Sequence, residues 1–421
     1  MEERQERKPA VTIFYQFNPW QSSIGGIQTI IRSFIKYASP EFDIRLVGIG
    51  VCDPKMPAGQ WHEAELAGRK ILFFPLLDLP DDNVRRLVPT SVRYTLALLK
   101  RDLSSDFMHF YRLEPAFAAL KWQGNKLLYV ANDLYKKVKA SSQDKSTLWQ
   151  KFPQLYFALE KALIKQFDSI LYCTSESLQF YKDQHPAVAD RISHVRNTVD
   201  DEMFYPLSGS QQEASRKTLA KELNLPEETR FLLFAGRLHP QKDPLLLLQS
   251  LAALKSSTAH LLIAGEGELM PAIRQEIARL NLAGRVTLLG SVNQSRLLEL
   301  YHIASAFVLT SLYEGMPIVA LEALACGVPL ITTRAGDTAN LITPESGIVC
   351  EQRHPDAIAE AIDHLLEHPE LYPQEGCTRA VDPYRGKTVV SEICADMLRQ
   401  WENGQIDAQP DGAKRAAAVV G

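Results

Sequence analysis

The first half of the chain alternates short apolar runs, bounded by turn residues, with longer stretches of helical period. Val11 to Phe17, Asp43 to Gly50, Lys70 to Leu77, Phe107 to Tyr111, Lys126 to Ala131 and Ser169 to Thr174 have the length and continuous apolar character of buried strands. Between several of them, Ile27 to Tyr37, Ser91 to Leu103, Leu148 to Phe167 and Ser175 to Asp183 repeat apolar residues at helical spacing. Parallel strands need a crossover of a dozen or more residues, so the alternation predicts a parallel sheet covered by helices on both faces.

The pattern pauses in the polar stretch Asn197 to Glu202, and Pro206 to Ser215 reads as a linker. It restarts at Phe231 to Gly236 and continues through Ala259 to Gly265, Val286 to Gly290, Ala306 to Thr310, Pro329 to Thr333 and Gly347 to Glu351. The expectation is α/β: two doubly wound, Rossmann-like domains over residues 10–206 and 207–402, with a flexible start at 1–9 and a disordered tail at 403–421. Ligands of such sheets bind at the carboxyl ends of the strands, which puts the expected site in a central cleft faced by both sheets.

Composition and charge narrow the function classes. The 421 residues, 46% of them hydrophobic, suffice for two or three full cores. Near balance of 46 Lys+Arg against 50 Asp+Glu argues against a chain built to grip a nucleic-acid backbone. The apolar runs are far short of the roughly 20 residues that cross a bilayer. The charged start from Met1 to Lys8 has no apolar stretch behind it, so no secretory signal is visible and a cytoplasmic location is expected. Six scattered Cys without a C-x-x-C pair fit buried thiols in a reducing compartment. Residues 1–206 carry 27 Lys+Arg and 24 Asp+Glu, leaving 19 and 26 for the remainder, so the net charge divides into +3 and −7. The basic spot Lys136-Lys137-x-Lys139 could meet the anionic inner face of a membrane, or be a solvated helix face.

The stretch from Tyr313 to Gly327 carries the most chemistry. Pro317 suits the first turn of a helix and Gly327 its end, and Glu322 is the only carboxylate from Pro317 to Thr332. Within such an apolar helix a carboxylate needs a hydrogen-bonding partner, and two vicinal hydroxyls of a ligand would satisfy both oxygens. Glu314 precedes the helix start, where the amides of Gly315, Met316 and Ile318 suit an anion such as a diphosphate. The alternative is that Glu314 merely complements the helix dipole and Glu322 pairs with an Arg. Phe231 to Asp243 is a buried strand leading into a loop that bears Arg237 and Lys242, a fork and a point charge for pyrophosphate oxygens, or two exposed loop cations. Gly25-Gly26 opens a helix directly after the first strand, and Gly265-Glu266-Gly267 follows another strand; either pair could be purely conformational.

Taken in order, these residues resemble a retaining GT-B glycosyltransferase of family 4, the glycosyl transferases group 1. The likeness runs from about residue 10 to 370 and is densest from Phe231 to Glu351, where Gly236-Arg237, Lys242, Gly265-Glu266-Gly267 and the E-x7-E element Glu314 to Glu322 follow the family order. Weaker echoes are Gly25-Gly26, Thr174 to Leu178, and Asn197 to Asp200 with Phe204 and Pro206. The resemblance implies that Arg237 and Lys242 hold the donor diphosphate and that Glu322 binds the ribose hydroxyls. It further implies that Glu314, with Gly315, Met316, Pro317 and Ile318, holds the donor sugar, and that Gly25 and Gly26 contact phosphate. No D-x-D triplet occurs, and two cations can do a metal's work, so no metal cofactor is expected. Where many family members carry a His near the sugar, this chain has Asn132, which can hydrogen-bond a hydroxyl but not carry a proton. His109, Arg112 and Glu114 are candidate contacts to acceptor or sugar, with a backbone-bonded strand-end His as the alternative for His109.

The expected activity is transfer of a hexosyl unit from a nucleotide sugar to a lipid-linked or saccharide acceptor, in making a surface polysaccharide or glycolipid. A non-catalytic GT-B module that binds a nucleotide sugar or a partner, and a nucleotide-sugar epimerase, are the alternatives.

Overall fold

Both expected sheets are present in the computed structural model, which describes residues 7–20, 25–79, 88–130 and 152–404. The chain divides into two units, one holding the chain as far as Arg196 together with the segment from Lys387, the other Asn197–Gly386.

The first unit contains β1 (Ala10–Phe14), β2 (Asp43–Gly50), β3 (His62–Leu66), β4 (Arg69–Asp78), β5 (Phe107–Phe110), β6 (Asn125–Val130), β7 (Ser169–Tyr172) and β8 (Ile192–His194), in the order β3-β4-β2-β1-β5-β6-β7-β8. All neighbours are parallel except β3 and β4. The order reverses between β1 and β5, so the connections leaving these two adjacent strands diverge and open a crevice at their carboxyl ends. Below it the core is aromatic: Phe14 lies opposite Phe110 in register, their rings stacked at 4.9 Å.

The second unit contains β9 (Arg230–Ala235), β10 (Ala259–Ala264), β11 (Val286–Gly290), β12 (Ala304–Leu309), β13 (Leu330–Thr333) and β14 (Gly347–Cys350), ordered β11-β10-β9-β12-β13-β14 and wholly parallel. Here the order reverses between β9 and β12. Phe231, Leu233 and Ala235 pack into one apolar cluster with the helices Gln294–Ile303 and Ile318–Ala325. Leu232 and Phe234 pack into another with Pro244–Ala253 and Pro355–Glu367 on the opposite face. The period of two along β9 thus builds both helix layers, which is why an unbroken apolar run marks a central parallel strand.

Several boundaries differ from the sequence expectation, each for a local reason. The units part at Arg196/Asn197 and not at 206/207: the Asn197 amide donates to the Met316 carbonyl at 2.7 Å, and Val199 and Phe204 belong to the core of the second unit. The expected linker is the start of a helix, Gly209–Glu222, where Ser208 as N-cap donates through its amide and its hydroxyl to Gln211 Oε1 at 3.3 and 2.8 Å. The helix Gly386–Glu402 belongs to the first unit, with the Ser39 amide on Cys394 Sγ at 3.5 Å and Asn125 Nδ2 on Gln400 Oε1 at 2.9 Å. β3 alternates half-buried and exposed residues at the sheet edge, so it carries no apolar run; its turn to β4 uses Ala67 and Gly68 at φ of 53° and 74°. From Arg7 the chain start is anchored, Arg7 to Asp106 and the Pro9 carbonyl to the Asp43 amide. Residues 1–6 and the tail from 405 lie outside the described residues, as do Asn132, Lys136, Lys137 and Lys139. Among the described residues no helix is long and apolar enough to cross a membrane.

Candidate active site

The loops leaving β9 and β12, on either side of the reversal in strand order, bring most of the expected residues of the second unit together. After β9 the chain turns at Gly236, runs through Arg237 and enters a short turn Pro240–Lys242 that ends on Asp243. Asp243 has left-handed backbone, φ 44° and ψ 59°, a conformation costing a non-glycine residue about 1 kcal/mol or more. Its carboxylate offsets that cost, accepting from the Leu246 amide at 3.2 Å to cap the next helix and pairing with Arg353 at 2.5 Å. Arg237 is exposed and makes no ion pair or hydrogen bond among the described residues. Gly265 explains the neighbouring glycine turn: a Cβ there would stand 1.9 Å from the Gly236 carbonyl oxygen, so Gly265 lets the β10 loop support the Arg237 loop. The Leu238 amide completes that support on the Glu266 carbonyl at 2.9 Å.

After β12 come Thr310, Ser311 and Glu314. Thr310 Oγ1 donates to the carbonyls of Lys242 and Asp243 at 3.1 and 2.8 Å, and the Leu312 amide donates to the Gln241 carbonyl at 2.8 Å. Gln241 Nε2 returns a bond to the Tyr313 carbonyl at 3.0 Å. The two loops are therefore sewn together through their main chains, and Lys242 Nζ pairs with Glu314 Oε1. Ser311 Oγ donates to the same oxygen at 2.6 Å, while the Ser311 carbonyl accepts from Thr333 Oγ1 at 2.7 Å. Gly336 is the other required glycine: its φ is 59°, and a Cβ would lie 1.9 Å from the Glu314 carbonyl oxygen.

The helix Ile318–Ala325 follows, with Pro317 as its N-cap and Gly327 just beyond its end at φ 76°. Pro317 therefore sits one position before the first helical turn. Glu322 is buried on this helix, and among the described residues no Arg meets it; Tyr301 Oη donates to Oε2 at 3.0 Å. Burial pushes the Glu322 carboxyl up to about 7, the Tyr301 bond acting in the opposite direction. Tyr301 is itself fully buried and its hydroxyl raised well above its ordinary value, first by burial and then by the Glu322 charge. A buried carboxylate with one protein donor can accept further hydroxyl donors, and paired cations can hold an anion. Loop and helix together thus suit a ligand bearing a diphosphate and a diol.

In the first unit, Gly25 and Gly26 open the helix Gly26–Tyr37 after β1 and are exposed, with Gln28 Oε1 accepting from the Gly25 amide at 2.8 Å. His109 lies within β5 against the ring of Phe34, centroids 4.8 Å apart, and not at the strand end. Burial lowers its pKa to about 3, so it is neutral, and its Nε2 has no hydrogen-bond partner among the described residues. Arg112 pairs with buried Glu114 at 3.3 Å just beyond β5. Tyr15, Tyr111 and Tyr129 line up beside them from adjacent strands, with ring centroids 6.4 and 5.3 Å apart. Sequence reasoning missed this ladder, as it missed Ser311 and Tyr301. Its signal was a tyrosine just after β1, another just after β5 and a third within β6, strands that become neighbours only once the sheet order is known.

The fold class is GT-B, two doubly wound α/β units in one chain. Superposition on the sucrose-phosphate synthase of Thermosynechococcus elongatus gives a TM-score of 0.75 at 18% identity, covering 94% of this chain and 100% of that one. Residues 215–375 match the family described as Glycosyl transferases group 1. The D-inositol 3-phosphate glycosyltransferase of Corynebacterium glutamicum strain R is 29% identical over 220 residues, 50% of this chain and 52% of the relative. A GDP-mannose-dependent monoacylated alpha-(1-6)-phosphatidylinositol monomannoside mannosyltransferase of Corynebacterium glutamicum is 26% identical over 364 residues, 84% and 88% of the two chains. The chain spans about half the length of the first curated relatives it matches.

Proposed function

We propose that this chain is a glycosyltransferase that moves a hexosyl unit from a nucleotide sugar to a lipid-linked or saccharide acceptor, with retention of configuration and without a metal ion. The observation that carries the reading is the Lys242–Glu314 pair joining the loops that leave β9 and β12, where the strand order reverses, with Arg237 in the first loop and Glu322 on the helix after the second. Arg237, exposed and without an ion pair among the described residues, and Lys242 take the donor diphosphate and neutralise the charge that grows on the leaving group. Glu322 accepts the two ribose hydroxyls, and Glu314 with the turn Gly315 to Ile318 accepts hydroxyls of the sugar. The bond from the anomeric carbon to phosphate oxygen breaks, the bond to the acceptor oxygen forms, and the acceptor proton passes to the departing phosphate.

The relative named for a phosphatidylinositol monomannoside supports a lipid-linked saccharide acceptor, and with it a place in glycolipid synthesis. With a lipid-linked acceptor, the basic spot Lys136-Lys137-x-Lys139 suits peripheral contact with an anionic membrane. The test is proton NMR of the first hexose released from UDP-glucose, GDP-mannose and ADP-glucose, with and without excess chelator. Release of the α-anomer at an unchanged rate in chelator is expected; β-anomer, or arrest by chelator, overturns retention or metal independence respectively.

A further inference from the structure

Two donors share one oxygen of Glu314, and they differ in mobility. Ser311 is fully buried, and its short side chain reaches Oε1 at 2.6 Å from a main chain held by Thr333. Lys242 reaches the same oxygen on a flexible four-carbon stem whose side chain keeps 18% exposure. Glu314 is buried beneath them, and Oε2 accepts no hydrogen bond among the described residues. A ligand anion arriving beside Arg237 can draw the Lys242 ammonium away, whereas Ser311 cannot follow.

We propose that Ser311 is the positioning residue that lets Lys242 exchange Glu314 for a diphosphate, an inference that rests on the donor-binding reading above. With Lys242 paired, Glu314 has two donors on Oε1; with Lys242 on the ligand, Ser311 alone holds that oxygen and keeps Oε2 turned to the sugar. Removing the Ser311 hydroxyl makes Lys242 the single donor of a buried carboxylate, so withdrawing it leaves that charge without a protein partner. Diphosphate binding then carries the whole of that penalty.

The experiment is a double-mutant cycle read by calorimetric titration of UDP, GDP and ADP into wild type, Ser311→Ala, Glu314→Gln and the double variant, with thermal unfolding of each. The nucleoside diphosphate that wild type binds best should bind Ser311→Ala about tenfold more weakly, the scale of one hydrogen bond to a charged group. In the Glu314→Gln background, where no ion pair has to open, the same substitution should change affinity by less than about threefold. Equal losses in both backgrounds would show general loosening of the loop and overturn the exchange role, as would wild-type affinity in Ser311→Ala. Wild type that binds none of the three nucleotides removes the donor-binding reading itself, and this inference with it.

Discussion

Nucleotide binding should release a proton through Glu322. In the ligand-free protein burial raises this carboxyl from an ordinary 4.5 to about 7, with Tyr301 as its protein donor. Ribose hydroxyls donating to both oxygens favour the charged form, so the bound carboxyl falls back toward its ordinary range. Between that range and pH 7 the free site holds a proton that the complex does not, and affinity therefore rises with pH, by up to tenfold per unit, and levels above about pH 7. If the shift is fully reversed, the span is about 3 kcal/mol, from roughly 2.5 units at 1.36 kcal/mol each. The same raised pKa gives the free protein a stability contribution present below pH 4.5 and lost as pH rises through 7. Calorimetric titration at pH 6 in two buffers of different ionisation enthalpy counts the released protons directly. Wild type should release more than Glu322→Gln, the difference approaching one proton, and Tyr301→Phe should move the midpoint upward by removing the hydrogen bond that opposes the shift. Identical proton counts in wild type and Glu322→Gln would refute the assignment of Glu322 to the ribose.

Other expectations concern the scaffold around the site. Gly336→Ala forces a Cβ toward the Glu314 carbonyl at a left-handed backbone position, so it should destabilise by about 1–3 kcal/mol in denaturant unfolding and lower sugar release tenfold or more. Asn197→Ala leaves the Met316 carbonyl without its donor; a loss of about 1–3 kcal/mol is expected, and an unchanged unfolding midpoint would show the bond to be dispensable. Asp243→Ala removes a helix cap and the partner of Arg353 together, and should cost about 1–2 kcal/mol of stability while weakening nucleoside diphosphate binding through Lys242.

Much of the fold was legible because its central strands are buried on both faces. Phe231 to Ala235 must be apolar at every position to fill two helix layers, and Gly236-Arg237 and Lys242 follow at the strand end where ligands of this sheet class bind. β3 was not legible, because an edge strand with one solvated side needs no apolar run. Nor was the attachment of Gly386–Glu402 to the first unit, since an amphipathic helix reads the same whichever core receives its apolar face. Within the site, the charged side chains declared themselves by chemistry. Their partners did not: Tyr301 lies 21 positions before Glu322, and nothing in a lone Tyr of a helix says that its hydroxyl meets a carboxylate on another. His109 erred in the opposite direction, a polar residue at an apparent strand end that the sheet register carries beneath Phe34.

The central claim is that the β9 and β12 loops bind and cleave a nucleotide sugar. It is tested most directly by the rate of nucleoside diphosphate release from UDP-glucose, GDP-mannose and ADP-glucose, with wild type beside Arg237→Ala/Lys242→Ala. Cleavage of at least one donor by wild type, reduced by about a hundredfold or more in the double variant, is the predicted result, from two charge-assisted contacts each contributing about 1.5–3 kcal/mol. Release that persists unchanged in the double variant, or wild type that cleaves none of the three, would contradict it.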